Sequence, residues 1–450
     1  MKILILSDSF PPESKGGADR VAFNLVNGFL KNGHQVFVIT TSRSRYTQME
    51  LASQDTQIHA EKNYLRESAY AEGKNQRVSA SANQGIQIYR IYVPCYRERW
   101  RAYLSLYNPW AIKQVEKIIK EIKPDIVNAH NIHYYLSYYC LKIANKYSKA
   151  VFLTAHDVML FHYGKLTEFM LDHPELYKES SGIPKFNYKV TPFQQIKRFK
   201  KRYNPFRNII IRHYLKYVKK IFAVSYALKN ALEQNKIKNI KVIYNGINVN
   251  EWKVSENEIE KFKQKYNLFN KKIVFFGGRL SALKGGERIL MSMKEVVKRV
   301  PESVLLVVGR KEKYAQKMLD LAKTKGISLI LTGWIEEKEL KSAYHSSDLV
   351  VVPSIYLDPF PTINLEAMAC KKPVIGSCFG GTKEVIVDNK TGYIVNPFNF
   401  QEMAYKIIDL LKNPQKAKKF GENGYKIAKQ KFSLEKQVNE YLKEFLVASH

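Results

Sequence analysis

The feature that most constrains this chain is an alternation that occurs twice: short apolar runs of strand character, each followed by a stretch of helical period. That order produces a parallel sheet wrapped by helices. In the first half the expected strands are Ile3–Leu6, Gln35–Thr40, Ile86–Tyr92, Asp125–Ala129, Val151–Thr154, Lys220–Val224 and Lys241–Tyr244. The series restarts with Lys272–Gly277, Ser303–Val308, Ile327–Thr332, Leu349–Pro353, Pro373–Gly376 and Gly392–Val395. With 450 residues, each series can bury a core of its own. The reading is α/β, with two doubly wound, Rossmann-like domains. The Lys- and Glu-rich stretch 251–270 is expected to be the linker, and the polar stretch 42–84 a long loop. A last amphipathic helix, 433–448, carries Leu434, Val438, Tyr441, Phe445 and Leu446 on its apolar side.

Composition excludes several classes. Residues 1–8 hold too short an apolar run for a secretory signal, and no later run approaches the ~20 residues that span a bilayer. The four cysteines show neither Cys-x-x-Cys pairing nor zinc spacing with histidine, so reduced thiols, no structural metal and a cytoplasmic setting are expected. A net charge of +32 is the outlier and favours polyanionic partners.

Three glycine-rich or helix-opening segments carry candidate chemistry. Gly16-Gly17 stands between the first strand and the first helix, where backbone N–H groups can approach a phosphate; a plain tight turn explains it as well. Arg279 and Lys284, framed by Gly277-Gly278 and Gly285-Gly286, can both point at one diphosphate and stabilise its departure electrostatically. In the segment 353–369, Thr362, Ile363 and Asn364 open a helix whose N–H groups could cap a phosphate. Asp358 and Glu366 could accept bonds from sugar hydroxyls.

Read in order, these segments resemble the family-4 retaining glycosyltransferases of GT-B fold over nearly the whole length. The resemblance runs through Pro11-Pro12 with Gly16-Gly17, Gly33-His34, Pro124-Asp125, Thr154-Ala155-His156-Asp157, Ser225, Tyr244-Asn245-Gly246 and Gly278-Arg279 with Lys284-Gly285. It continues through Asp358 to Glu366 and Gly380-Gly381-Thr382-Lys383-Glu384.

The resemblance implies two Rossmann-like domains facing a central cleft: residues 1–250, which take the acceptor and to which 433–450 return, and residues 251–432, which take the nucleotide sugar. It implies that Arg279 and Lys284 bind the donor diphosphate, that Glu366 holds the ribose, and that Gly16 and Gly17 touch the diphosphate or acceptor from the opposite domain. Asp358 stands where the family usually has Glu, the acid that contacts the donor sugar, so those contacts are expected to differ. His156 is implied to face the donor sugar. His130, His133, Asp157 and Asn245 are further candidates lining the cleft. The implied activity is retaining, metal-independent and cofactor-free transfer from a nucleoside-diphosphate sugar to a saccharide or lipid-linked acceptor, in cell-surface polysaccharide or lipopolysaccharide synthesis. Another GT-B activity such as a nucleotide-sugar epimerase, or a basic binding protein with an inactive fold, is the alternative.

No acidic residue occurs between Glu179 and Glu233, an interval dense in Lys, Arg, Phe and Tyr. Helical spacing places Phe206, Ile210, Tyr214 and Tyr217 in one stripe. A solvated basic face, a nucleic-acid surface and a membrane-docking face all fit this pattern. Basic aromatic helices suit an anionic membrane, and no nucleic-acid motif is present, so the membrane reading leads. It assigns Lys197, Arg198, Lys200, Lys201, Arg202 and Arg207 to a patch at the inner face of the plasma membrane.

Overall fold

The computed structural model describes residues 1–13, 16–42, 68–69, 78–80, 86–94, 96–177 and 184–449. Its first sheet comprises β1 (Lys2–Leu6), β2 (Gln35–Ser42), β3 (Ser68–Ala69), β4 (Val78–Ala80), β5 (Ile86–Tyr92), β6 (Ile126–Ala129), β7 (Ala150–Ala155), β8 (Lys220–Ala223) and β9 (Ile240–Val242). The order is β3-β4-β5-β2-β1-β6-β7-β8-β9, parallel from β5 to β9. The pairs β3–β4 and β4–β5 are antiparallel, so stretch 42–84 is not wholly a loop: Ser68–Ala69 and Val78–Ala80 extend the sheet edge. Most of that stretch lies outside the described residues.

The second sheet comprises β10 (Lys272–Phe276), β11 (Ser303–Val307), β12 (Ser328–Leu331), β13 (Leu349–Val352), β14 (Val374–Ser377) and β15 (Gly392–Val395). It is all parallel, in the order β12-β11-β10-β13-β14-β15.

Alternation along β1 shows why helices cover both faces. Leu4 and Leu6 enter one apolar cluster with Ile112, Val115 and Ile119 of the helix Pro109–Ile122. Ile3 and Ile5 enter another with Val21, Leu25 and Phe29 of the helix Gly17–Lys31. The Pro109 helix starts where its sequence directs: Asn108 accepts the N–H of Trp110, and Pro109 needs no donor at the first position.

The stretch 251–270, expected as the linker, contains the helix Glu256–Lys265, which starts with a reciprocal capping box of Ser255 and Glu258. The expected apolar side of the last helix needs correction. On the final helix, Leu434–Ser449, Leu446 is 47% exposed and Leu442 is buried instead. Val438, Tyr441 and Phe445 are buried, with the two aromatic rings against Phe29 and Phe222 of the first sheet's layer. The chain returns there by pairing Ile247 with Ser433. A side chain at Gly246 would lie 2.6 Å from the Ser433 carbonyl, so glycine lets the crossing strand approach.

Candidate active site

The carboxyl edges of the two sheets face each other, and two helix N-termini meet between them. The helix Gly17–Lys31 begins after β1 without a side-chain cap, and the helix Thr362–Ala369 begins after β13 in the same way. A Cβ on Gly17 would lie 3.5 Å from Thr362 Oγ1, so the two ends touch across the cleft. Uncapped N–H groups with aligned dipoles from both sides concentrate positive potential at one point. Asn364 N–H is already bonded to the Pro361 carbonyl, however, so of the three expected donors only Thr362 and Ile363 remain.

Beside this point, Lys284 Nζ donates to Asp358 Oδ2 at 2.6 Å, and Ser354 Oγ donates to the same oxygen at 2.9 Å. Burial opposes ionisation of Asp358, but the adjacent Lys284 ammonium holds the carboxyl below its usual range. Burial likewise opposes the Lys284 charge, and Asp358 reverses that and raises the amine. The loop bearing Asp358 is moulded on two glycines. A Cβ on Gly380, whose φ is +76°, would lie 2.1 Å from the Asp358 carbonyl oxygen; one on Gly381 would lie 2.0 Å from that of Pro359. Arg279 is exposed on the same Gly277-Gly278 turn that Ile363 packs against. Lys284 thus arrives neutralised, whereas no ion pair engages Arg279 among the described residues.

Glu366 accepts from Tyr344 Oη at 2.7 Å and from Thr362 Oγ1 at 3.2 Å. Burial raises its carboxyl above the ordinary value, against the pull of the Tyr344 hydroxyl and Arg20.

On the opposite wall the histidines form a continuous polar chain. His130 Nδ1 and His156 Nε2 are 2.8 Å apart, and Asn128 Nδ2 is 3.1 Å from His130 Nε2. Behind them Thr154 Oγ1 donates to Asn128 Oδ1 at 3.2 Å and meets Tyr441 Oη, on the returning helix, at 3.1 Å. With Asn128 donating to His130 Nε2, the His130 proton sits on Nδ1 and is given to His156 Nε2. That leaves His156 with its own proton on Nδ1. Burial pushes His156 down to about 4 and His130 well below its usual value, so both rings are neutral at pH 7. His133 Nε2 lies 3.5 Å from Asp157 Oδ2; burial takes His133 down to about 4 despite that carboxylate. Asp157 also accepts the Met159 N–H and is held below its usual value by His133 and Lys165 in spite of burial.

The expected residues therefore fall into two groups facing one cleft, apart from a few. Asn245 is buried beside the returning chain, and among the described residues no hydrogen bond joins it to the histidines. Arg207, expected at a membrane face, is completely buried. Its helix, Arg207–Tyr214, turns Arg207 and Ile211 inward and leaves Phe206 and Ile209 exposed, so the anticipated Phe206–Ile210–Tyr214–Tyr217 stripe is divided. Arg198 is tied to Glu168 at 2.5 Å, while Lys197, Lys200, Lys201 and Arg202 are exposed.

Three contributors were not singled out from the sequence, and a fourth, Glu384, lies in the Gly380-Gly381-Thr382-Lys383-Glu384 segment of the resemblance without an assigned role. Asp8 accepts the N–H groups of Tyr134, Tyr135 and Leu136, fixing the loop that presents His130 and His133; burial pushes its carboxyl up to about 7. Lys165 lies 5.0 Å from the Tyr356 ring, across the cleft. Tyr344 orients Glu366. Glu384 of the second sheet's layer accepts the N–H groups of Tyr226 and Ala227 at the start of a first-layer helix. An acid directly after Ser7 at the end of the first strand is the trace Asp8 leaves in the sequence, and one three residues past Gly380-Gly381 is the trace of Glu384.

Two Rossmann-like layers with opposed carboxyl edges define the GT-B class of fold. Residues 15–251 match the model for Glycosyltransferase Family 4, and residues 258–427 match that for Glycosyl transferases group 1. The chain belongs to Glycosyltransferase Family 4. It is 30% identical over 164 residues to a lipopolysaccharide 1,2-N-acetylglucosaminetransferase of Salmonella typhimurium, covering 34% of this chain and 42% of that one. A GDP-mannose-dependent alpha-(1-6)-phosphatidylinositol monomannoside mannosyltransferase of Mycolicibacterium smegmatis is 26% identical over 172 residues, 36% of this chain and 45% of that one. The chain spans about half the length of the curated relatives it matches. Among solved structures, Anabaena HepE in complex with UDP superposes with a TM-score of 0.67 at 17% identity over 100% of both chains, a likeness of fold.

Proposed function

We propose that this protein transfers a sugar from a nucleoside-diphosphate sugar to a saccharide or lipid-linked acceptor, with retention and without a metal ion. The observation that carries this reading is the meeting of two uncapped helix N-termini, at Gly17 and Thr362, beside Arg279 and Lys284. Together they offer the leaving diphosphate the positive field that magnesium supplies elsewhere. Glu366 takes the ribose. Asp358, already bonded to Lys284, presents its remaining oxygen to the donor sugar. His156 Nδ1–H, held by His130, donates to a hydroxyl of the donor sugar and positions the ring for displacement. Among the described residues no carboxylate pair stands as glycosidase-type nucleophile and acid, and in this reading the departing phosphate oxygen accepts the acceptor proton on the same face.

The acceptor side supports a membrane-linked substrate. Phe193 and Phe206 are 73% and 66% exposed, and Lys197, Lys200, Lys201 and Arg202, which lie between them in the chain, are exposed as well. Among the described residues no helix is long and apolar enough to cross a membrane, so the contact proposed is peripheral. The lipopolysaccharide and phosphatidylinositol-mannoside names of two relatives favour surface-glycan assembly as the setting.

The deciding experiment screens nucleotide sugars for thermal stabilisation, then follows nucleoside-diphosphate release with and without acceptor. Release that requires acceptor, and is lost in Arg279→Ala, supports the transferase. Conversion of the donor alone to an epimer would replace that reading.

A further inference from the structure

Arg207 and Arg101 form an arrangement that the fold leaves electrically incomplete. Arg207 Nη2 donates to the Met159 carbonyl at 2.5 Å and Nη1 to Asn208 Oδ1 at 3.3 Å, while its buried Nε has no partner. Arg101, from the short helix Arg101–Leu104, reaches the same methionine: its Nη2 lies 3.8 Å from Met159 Sδ, and its Nε is also buried without a partner. Both guanidiniums rest on the Tyr163 ring, 4.8 and 5.6 Å from its centroid, and Arg101 also covers Tyr134 at 4.3 Å. The charges of the two arginines oppose each other, and the main groups that favour the Arg207 charge are the Tyr138, Tyr203 and Tyr163 hydroxyls. Among the described residues no carboxylate forms an ion pair with either.

Burying a guanidinium is normally compensated by an acid, since neutral hydrogen bonds return only part of the lost hydration. Two such cations on one tyrosine ring, each with an unused Nε–H, are short of one partner. Their planar forks match a carboxylate or a phosphate.

The position suits an acceptor. The Tyr134 ring packs against His133 at 4.7 Å, and His133 faces Asp157, the neighbour of His156. On the other side, the turn Glu98–Trp100 leads into Arg101 and packs against the turn Lys200–Arg202 of the exposed basic surface. The arginines therefore stand between that surface and the cleft.

We propose that Arg101 and Arg207 form a subsite for an anionic group, phosphate or carboxylate, carried by the acceptor. Entry is from the side of Arg101 and Tyr134, which are partly exposed. The subsite rests on the transferase reading above for its purpose, though its anion affinity can be measured separately.

The test uses the full chain with ¹⁵N-labelled arginine, titrated separately with inorganic phosphate and with methyl glucuronide. At least one probe is expected to shift the Nε–H resonances of Arg101 and Arg207, assigned through Arg101→Gln and Arg207→Lys. Arg101→Gln should weaken binding of that probe about tenfold or more. Because phosphate also suits the donor site, the titration is repeated in Arg279→Ala, where the Arg101 and Arg207 shifts should persist. A response to phosphate alone marks a phosphate-bearing acceptor, and one to glucuronide alone a carboxylate-bearing acceptor. Silence toward both probes, or an Arg207 response unchanged by Arg101→Gln, overturns the subsite. Should Arg207→Lys fail to fold, Arg101→Gln at its partly exposed position still decides. Nucleotide-sugar binding is measured in parallel: its failure counts against the transferase reading, whereas its success beside silent arginines removes only the subsite.

Discussion

Lys284 Nζ and Asp358 Oδ2 stand 2.6 Å apart, so a cation assigned to the donor diphosphate and an acid assigned to the donor sugar hold each other in place. The pair reaches across from the turn after β10 to the loop after β13, and Gly380 fixes the latter from behind. Each charge depends on the other to remain ionised in a buried position, and removal of one strands its partner.

Lys284→Ala is accordingly expected to destabilise the fold by about 3–5 kcal/mol, the cost of an uncompensated buried charge. Asp358→Asn, which keeps a hydrogen-bonding oxygen beside the ammonium, should cost less. Both should abolish or greatly slow transfer. Denaturant titration separates the two effects: equal loss of stability in the two variants would refute the pairing argument. The pH dependence has a definite sign. Asp358 is held below its unfolded value, so its contribution is present above about pH 4 and disappears as pH falls through the folded value. Lys284 is raised, so its contribution is complete below about pH 10 and fades as pH rises beyond.

The cleft histidines give the opposite acid behaviour from a raised acid. His156 and His133 titrate at about 4 in the fold against about 6.5 unfolded, so the unfolded chain binds more protons in that interval and stability rises with pH across it. Asp8, raised to about 7, binds its proton preferentially in the fold and makes stability fall with pH between about 4 and 7. Asp8→Asn removes the second contribution, so its stability should climb more steeply from pH 4 to 6.5 than that of the unaltered chain. Urea midpoints at several pH values measure the slopes; parallel slopes would contradict the assignment of Asp8.

Much of this was legible in advance because it depends on local pattern. The thirteen expected strands all appear within one or two residues, since buried parallel strands are written as unbroken Ile, Val, Leu and Phe runs. The glycines at 277–278 and 380–381 mark close approaches that a sequence shows plainly. What escaped notice depends on contacts distant in sequence. Arg207 looks identical to its basic neighbours until the turn at Asn204–Phe206 directs it inward. Tyr344 bonds Glu366 across 22 positions and Asp8 bonds the 134–136 backbone across more than a hundred, and no spacing rule reaches that far. Within the stretch 251–270 the same charged residues that suggest a linker also make a capped helix.

The polar chain behind His156 predicts a proton-placement effect. Asn128→Asp is nearly isosteric but can only accept, so His130 must protonate Nε2 and accept at Nδ1. His156 would then carry its proton on Nε2, and Nδ1 would lose its donor role. Transfer should fall by about 10²-fold, the size of a lost preorganised donor, with nucleotide binding retained. Imidazole ¹⁵N shifts report the tautomer directly, and an unchanged His156 tautomer in this variant would remove the relay from the mechanism.

Docking on an anionic membrane makes the last prediction, and the structure narrows which residues enter it. Arg207 is buried and Arg198 is paired to Glu168, so neither adds charge to the outer surface. Lys197, Lys200, Lys201 and Arg202 are exposed, as are Phe193, Phe206 and Ile209 on the same stretch of chain. At about 1 kcal/mol for each basic residue near the headgroups, a Lys197, Lys200 and Lys201 triple change to Gln should weaken binding to phosphatidylglycerol vesicles by ~10²-fold. Phe206→Ser should weaken it further by losing buried ring area, and that part should resist salt while the lysine part is screened. Cosedimentation at low and high salt separates them. Binding that ignores both sets of changes would mean that this surface faces only solvent, and the acceptor would then have to be sought among soluble saccharides.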